Sequence, residues 1–217
     1  MSLDPRSERS RRRLFDAALA LAATGEIDTA TVTDVARAAQ VTRDTFYRHA
    51  RSVPELVELA LGEKLDELGR DFVAAIEVRA RGGDSFDPQD FAGAAEKALL
   101  RHVLDYESAY RGALNSDSGG GIRALLTGYV QRAVWEALQK YPEAIDLPGA
   151  RADDRTIRMI AAYGASGTIG AIHAWLNSGR TDDIDHAVSV ILAASPPWWR
   201  VIAERLAVAD HGEQRER

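Results

Sequence analysis

The side chains best suited to chemistry lie together in residues 31–50, TVTDVARAAQVTRDTFYRHA. Arg43 offers a guanidinium group that matches the two acceptors on the edge of guanine in a DNA major groove. The hydroxyl of Thr42 and the imidazole of His49 suit hydrogen bonds to phosphate, which position a protein on DNA without reading its sequence. The side chains of this segment therefore indicate recognition of a nucleic acid.

Two short helices must position these side chains. Thr31 and Asp34 stand three residues apart and can form a capping box at the start of the first helix. Thr42 can cap the second helix, in which Asp44 lies near the positive end of the helix dipole and Phe46 is the expected core anchor. Two such helices around a tight connection predict a helix-turn-helix whose second helix enters a major groove. Two short helices that only pack together give the same pattern.

The segment before this motif is basic. Residues 5–13, PRSERSRRR, hold five arginines and one glutamate. The formal net charge of the chain is −6, but residues 1–51 hold nine arginines against seven acidic residues, so the acidic excess lies in the remainder. The basic front suits phosphate contacts, and a solvated helix start is the alternative.

The remaining sequence predicts further helices. Apolar residues recur at helical spacing, and β-branched residues do not alternate with polar ones over the length of a strand. After a first helix that ends near Gly25, a long fourth helix is predicted from Ser52 to about Arg79, with Ser52 and Glu55 as its capping box. Later helices are predicted from Pro88 onward and over 122–141, 153–178 and 182–194. The chain is therefore expected to be all-α.

Composition and spacing argue against several function classes. The 217 residues contain no cysteine, which rules out disulfides, zinc ribbons and thiol catalysis. The five histidines are scattered without metal-binding spacing, and Gly164 to Thr168 lies one residue out of register for a nucleophile elbow. No apolar run is long enough to cross a membrane, and no signal-type core follows the N-terminal arginines. We therefore expect a cytoplasmic protein that is not an enzyme and holds no metal or cofactor.

A longer pattern joins the motif to the segments on either side of it. It begins with the Arg-rich first helix and continues through Ala17, Ala18, Leu21, Gly25, Thr31, Asp34, Val35, Ala36, Val41, Thr42, Thr45, Phe46, Tyr47, His49, Ser52, Glu55 and Leu56. In order, spacing and residue type, residues 9–60 resemble the N-terminal domain of TetR family transcriptional regulators. Three features depart from the family pattern. The Gly25 to Ala36 connection is one residue longer, Ala50 replaces an aromatic residue, and Val53 replaces a phosphate-binding lysine.

The resemblance implies which side chains contact DNA. The positions that commonly contact backbone phosphates are Thr42, Tyr47 and His49. The positions that face the groove are Arg43, Asp44, Thr45 and Arg48, and the set of DNA-binding candidates is completed by Thr31 and Thr33. Arg43 is the first candidate for reading a base, with a phosphate contact as the alternative.

The resemblance also implies a homodimer, because one such domain reads too few base pairs and the family pairs two through a four-helix bundle. Residues 153–179 and 182–194 occupy the place of the pairing helices. The interface candidates are Ile157, Ile160, Gly164, Thr168, Ala171, Ile184, Val188 and Ile191. A core within one subunit would give the same apolar stripes.

The middle of the chain, over 88–142, corresponds to the region that holds the ligand pocket in the family. Aromatic and imidazole side chains with polar tips suit a small molecule of mixed polarity. The candidates for such a pocket are His102, Tyr106, Tyr110, Tyr129 and Trp135. Ordinary packing is the alternative for each of them.

Together these inferences predict the domain organisation and the function of the protein. Residues 1–52 are predicted to form a three-helix DNA-binding domain with its helix-turn-helix at 31–50, and residues 53–210 a helical ligand-binding and dimerisation domain entered by the long fourth helix, with a frayed tail at 211–217. The expected function is a TetR-type repressor that binds double-stranded DNA at an inverted-repeat operator and is released by a small molecule. The rival from another class is a non-catalytic helical interaction protein that has lost DNA affinity, and an all-α enzyme comes third.

Overall fold

A computed structural model describes residues 4–82, 88–116, 120–145 and 153–201. All regular secondary structure in these ranges is helical, which confirms the predicted all-α fold. Two short 3₁₀ helices lie at Glu26–Asp28 and Pro142–Ala144. The α-helices are α1 Pro5–Thr24, α2 Val32–Ala38, α3 Arg43–His49, α4 Val53–Gly82, α5 Pro88–Asp105, α6 Glu107–Asn115, α7 Gly120–Lys140, α8 Asp154–Asn177 and α9 Ile184–Ala194.

The chain divides into two compact units. The first, here called the N-terminal unit, comprises Met1–Asp66 and Val103–Leu125, and the second, the C-terminal unit, comprises Glu67–His102 and Leu126–Arg217. Helix α4 contributes its first half to one unit and its second half to the other. The domain boundaries predicted from the sequence stay predictions, and the expected tail at 211–217 lies outside the described residues.

Local signals determine where the first helix begins and ends. The side chain of Asp4 accepts a hydrogen bond from the backbone N–H of Arg6 at 3.0 Å, and Pro5 occupies the first turn, where its missing N–H costs nothing. Gly25 ends the helix with a left-handed backbone, at φ 78°, which a residue without a Cβ adopts freely. Both the position and the residue type of this end agree with the prediction.

At the start of α4, one of the two hydrogen bonds of the predicted capping box is present. The Ser52 hydroxyl accepts from the backbone N–H of Glu55 at 3.3 Å, as expected. The Glu55 carboxylate, however, accepts from the backbone N–H of Arg51 at 2.6 Å. It also pairs with the Arg51 side chain at 3.2 Å. The carboxylate therefore satisfies an amide one residue earlier than the standard arrangement does.

A break at Tyr106 separates α5 from α6. Tyr106 leaves the helical region, with φ −128° and ψ 38°, although neither a glycine nor a proline marks the position. Beyond it, α6 buries one side that includes Tyr110 and Leu114. The helical pattern from Pro88 gives no sign of this break, because the residues on both sides favour a helix equally.

Helices α8 and α9 begin on aspartates. Asp153 accepts from the backbone N–H of Thr156 at 2.8 Å, and Asp183 accepts from that of His186 at 2.9 Å. These bonds satisfy amides that have no partner within the helix. Helix α8 ends at Asn177, and Gly179 follows it with a φ of 71°.

Each unit has its own apolar core. In the N-terminal unit the large side chains that are fully buried are Leu14, Phe46, Leu56, Leu61, Leu65, Tyr110 and Leu114. In the C-terminal unit they are Leu100, Leu126, Leu138, Ile172 and Leu176. Burying a side chain of this size stabilises the fold by about 1.5–3 kcal/mol.

The capping box of α2 gives a test of local stability. We expect Thr31→Ala to lower the free energy of unfolding by about 1 kcal/mol, because the backbone N–H of Asp34 loses its acceptor. The matched control is Thr33→Ala, an exposed threonine in the first turn of the same helix. Urea denaturation of both variants checks the prediction, and equal midpoints would contradict the role of the cap.

Candidate nucleic-acid interface and ligand cavity

The connection between α2 and α3 is a short turn held by backbone hydrogen bonds. The N–H of Gln40 donates to the carbonyl of Arg37 at 3.1 Å, and the N–H of Val41 donates to that of Ala36 at 2.9 Å. Gln40 has a φ of 53°, the one positive φ among the described residues other than glycine. This turn sets the direction in which α3 leaves α2.

Helix α3 presents one apolar side to the core and a polar side to solvent. Phe46 is fully buried and lies edge-on to Tyr47, with ring centroids 5.6 Å apart. Tyr47 is 50% exposed, and Arg43, Asp44 and Arg48 are exposed as well. The polar side therefore carries both arginines of the helix at a surface that a DNA groove can approach.

Arg43 and Arg48 differ from the neighbouring arginines in their partners. Arg37 pairs with Asp34 at 3.4 Å, and Arg51 pairs with Glu55 at 3.2 Å. Neither Arg43 nor Arg48 forms an ion pair or hydrogen bond with any residue that the structure describes. Their guanidinium groups are thus available to an external anion or base edge.

Two threonines of the motif, Thr31 and Thr42, cap α2 and α3. The hydroxyl of Thr31 accepts from the backbone N–H of Asp34 and donates to its carboxylate, which also lowers the pKa of Asp34. Thr42 caps α3 by accepting from the backbone N–H of Thr45 at 3.2 Å, and the two hydroxyls lie 2.9 Å apart. Thr33 is exposed at the start of α2. All four predicted threonines therefore lie in the first turns of α2 and α3.

His49 joins α3 to α1. Its Nε2 lies 3.0 Å from the Ser10 hydroxyl. Burial lowers the pKa of His49, and the positive charge of Arg11 lowers it further, which favours the neutral ring. Because the Ser10 hydroxyl donates to the carbonyl of Ser7, the contact with Ser10 uses the Nε2–H of His49, and a neutral ring then has no second N–H for phosphate.

Arg11 belongs to the basic segment, but its side chain is bound by other residues of the fold. Its guanidinium group binds the carboxylates of Glu8 and Glu63 and lies over the Phe15 ring, 4.8 Å from the centroid. The hydrogen bonds that its N–H groups donate to the two carboxylates raise the pKa of Arg11. The ion pair between Arg11 and Glu63 therefore joins α1 to α4. It could not be predicted from the sequence, because the two residues are far apart in the chain. Arg12 and Arg13 are exposed.

The two substituted family positions, Ala50 and Val53, are both buried. Ala50 ends α3 by donating its backbone N–H to the carbonyl of Phe46 at 3.0 Å. Val53 opens α4 in the apolar core, where a lysine would leave its charge poorly solvated unless it reached the surface.

The C-terminal unit encloses a cavity of about 210 Å³. Apolar residues from α4, α5, α7, α8 and α9 form much of its wall, among them Leu68, Leu99, Val134 and Ile191. Its aromatic residues are Tyr129, Tyr163, Trp198 and Trp199, and its carboxyl group belongs to Glu96. An apolar cavity with a few polar groups is typical of a small-molecule site.

The predicted pocket residues lie in different places. Tyr129 lines the cavity, whereas His102, Tyr106, Tyr110 and Trp135 are not part of its wall. His102 and Tyr110 are buried, and burial raises the pKa of Tyr110. Sequence reasoning missed Glu96, Tyr163, Trp198 and Trp199, although the Trp198–Trp199 pair is a visible signal in the sequence.

The predicted interface residues also fall into groups. Ile157, Val188 and Ile191 are buried within the chain. Ile160 and Ile184 are partly exposed. The residues of the set that line the cavity are Gly164, Thr168, Ala171 and Ile191.

The large apolar side chains that α8 and α9 expose are different ones, and sequence reasoning missed them. Met159 and Tyr163 on α8 are 65% and 72% exposed, and Val190 on α9 is 50% exposed. Met159 and Val190 do not line the cavity, whereas Tyr163 stands at its wall as well.

Two further features bear on function. Among the described residues, no group of three or more histidine, aspartate or glutamate side chains could hold a metal ion. None of the helices in those ranges combines the length and the apolar character needed to span a bilayer.

Comparison with known proteins starts from the N-terminal helices. The family model for bacterial regulatory proteins of the tetR family matches residues 14–60, which contain α2, α3 and the start of α4. No curated protein matches the chain.

Solved structures resemble the whole chain in fold. RolR in complex with resorcinol has a TM-score of 0.56 at 17% identity, over 92% of this chain and 95% of that one. The fatty acid degradation regulator FadR from Bacillus halodurans has a TM-score of 0.55 at 16% identity, over 89% and 98%. A tetR-family transcriptional regulator from Streptomyces coelicolor has a TM-score of 0.55 at 19% identity, over 94% and 93%.

The turn, the caps and the polar side of α3 form a helix-turn-helix of the kind that binds DNA. The match of residues 14–60 to the tetR family model supports a DNA-binding transcriptional regulator, and the chain shares the all-α fold of a solved tetR-family regulator. The resemblance found in the sequence is thereby confirmed.

Arg43 gives a test of base readout. We expect Arg43→Ala to weaken binding to a duplex selected by the natural chain by about 1–3 kcal/mol and to relax the preference at one base pair per half-site. Arg37→Ala is the matched control, because Arg37 is equally an exposed arginine but pairs with Asp34 on α2. A repeat selection with each variant measures the preference. An unchanged base preference in Arg43→Ala would leave Arg43 as a phosphate contact.

Proposed function

We propose that this regulator is a repressor that binds an inverted-repeat operator as a homodimer in the cytoplasm and leaves it when a small molecule fills the cavity of the C-terminal unit. The observation that carries the proposal is the polar side of α3, where Arg43 and Arg48 are exposed without internal partners. Groove-facing arginines of this kind supply both phosphate attraction and base readout.

The exposed side of α8 supports the homodimer. From Met159 to Asn177 the helix contains no aspartate, glutamate, lysine or arginine. Its exposed residues include Met159, Tyr163, Gly167 and Gly170, and a Cβ added at either glycine would meet nothing within 4 Å. An uncharged side with large apolar groups and open glycines favours close approach of a second helix. The same helices from a second copy would complete a four-helix bundle.

The cavity supports control by a small molecule. Its volume of about 210 Å³ exceeds the roughly 150 Å³ of an apolar cavity that binds benzene, so a compound of one ring with a short substituent fits. RolR, one of the similar structures, was solved with resorcinol, a compound of that size. The similarity in fold makes such compounds reasonable first effectors to test.

Helix α4 provides a route from the cavity to the DNA-binding helices. It supplies Leu68 to the cavity wall and buries Leu56 and Leu61 in the core that also holds Phe46. Binding in the cavity would shift α4 and change the separation of the two recognition helices from the 34–36 Å or so that adjacent half-sites require. An effector must bind the free and DNA-bound forms with different affinity, or it changes nothing.

Operator selection tests the proposed function directly. We expect the full chain to enrich an inverted repeat from a random duplex pool, with affinity that falls steeply as salt rises, because paired helices impose symmetry and phosphate contacts release counterions. Selection followed by binding at two salt concentrations checks this. If no sequence is enriched and binding is only weak, the rival function, a helical interaction protein, is favoured. Ala50 and Val53 at the two substituted positions would then account for the loss of DNA affinity.

The oligomeric state tests the pairing surface. We expect the natural chain to sediment as a dimer at micromolar concentration and the double variant Met159→Glu, Val190→Glu to sediment as a monomer, because two carboxylates would be buried at the interface without partners. Leu59→Glu is the matched control, since Leu59 is 44% exposed on α4, outside α8 and α9. A monomeric natural chain would overturn the homodimer.

A further inference from the structure

Glu96 is a carboxyl group in an apolar wall. It lies on α5 and lines the cavity together with Leu99 and residues of α8. Its Oε1 atom is shielded from solvent and has no hydrogen-bond partner among the described residues. A buried polar atom without a partner costs about 1–3 kcal/mol, so its retention at a cavity wall calls for a functional explanation.

Within the described part of the chain, no positive charge compensates Glu96. The next residue, Lys97, pairs with Asp185 on α9. The cavity wall contains no lysine, arginine or histidine among the described residues. Burial raises the pKa of Glu96 to about 7, and burial is the sole cause of the shift. A positively charged group that entered the cavity would therefore lower the pKa of Glu96 and favour its ionised form.

Aromatic rings form another part of the same wall. Trp198 and Trp199 pack edge to face, with ring centroids 5.9 Å apart. The Trp198 ring also lies against α8, since a Cβ on Gly164 would be 3.4 Å from it, an ordinary contact distance. Tyr129 and Tyr163 add two phenol rings. Aromatic faces attract an organic cation through their negative centres, and this attraction grows when the site excludes water.

We propose that the effector of this cavity is a small organic cation, a protonated amine on a body of about one ring, whose ammonium group binds the Glu96 carboxylate while its apolar body packs against the aromatic wall. This inference rests on the proposed effector role of the cavity and adds to it the charge of the ligand. A neutral phenol or alcohol would leave the carboxylate without a counter-charge, and an anion would be repelled by it.

Two probes of nearly equal shape separate charge from size. Benzylamine, protonated at neutral pH, and benzyl alcohol, which is neutral, are titrated into the full chain by isothermal calorimetry at about pH 8. At that pH the carboxyl group, with a pKa of about 7, is largely ionised. We expect benzylamine to bind at least tenfold more tightly than benzyl alcohol, because a charge-assisted hydrogen bond forms with the amine alone. Equal affinities, or tighter binding of the alcohol, would overturn the proposal and leave the cavity as a neutral effector site.

The variant Glu96→Gln tests the residue. It keeps the shape of the side chain and removes the charge, so the ratio of the two affinities should fall from tenfold or more to near one. Glu136→Gln, an exposed glutamate on α7 that does not line the cavity, should keep the ratio of the natural chain. A preserved preference in Glu96→Gln would assign the cation to another group.

The two proposals fail in different ways. If neither probe nor resorcinol binds the natural chain, the cavity is not an effector site, and both the ligand part of the proposed function and the present inference fall. If the neutral compounds bind while benzylamine has no advantage, only the inference about Glu96 falls. Operator selection without any compound tests DNA binding separately from both.

Discussion

The recognition helix has only seven residues, and an isolated helix shorter than about 12–15 residues is marginal in water. Helix α3 therefore depends on contacts outside itself. Phe46 anchors it in the core, Thr42 satisfies an amide at its start, and His49 reaches Ser10 on α1 near its end. Because these contacts occupy one side, the opposite side can carry Arg43 and Arg48 at little cost to folding. The position of any DNA contact made by α3 is therefore set by this packing.

Charge in this chain is used in two opposite ways. Arg11 and its two carboxylates neutralise one another inside the N-terminal unit, whereas Arg43 and Arg48 have no such partners in the described chain. The number of arginines in a segment thus overstates the charge that it offers to DNA. A protein of net charge −6 can still present a positive surface, because long-range interactions are screened within about 10 Å and the local arrangement decides.

The sequence predicts what depends on neighbours in the chain. The caps at Thr31 and Thr42 and the end of α1 at Gly25 follow from spacings of a few residues, and the structure agrees with them.

Features that depend on distant contacts could not be predicted. The ion pair between Arg11 and Glu63 joins positions 52 residues apart, and the break at Tyr106 carries no local signal. The sides of α8 could not be separated because small and apolar residues occur all around it. Gly164 faces Trp198 while Gly167 and Gly170 face open space, and nothing in their spacing distinguishes them.

The backbone of Gln40 restricts which residues can occupy the turn between α2 and α3. A left-handed conformation costs a residue with a Cβ about 1–2 kcal/mol, and glycine would avoid that cost. Glycine would also enlarge the conformational freedom of the unfolded chain, by an amount worth about 0.4–1 kcal/mol, which offsets roughly half of that gain. Position 40 therefore tolerates glycine and asparagine at least as well as glutamine and disfavours β-branched residues. The backbone of this turn thus restricts the side chain at a position that is itself exposed to solvent.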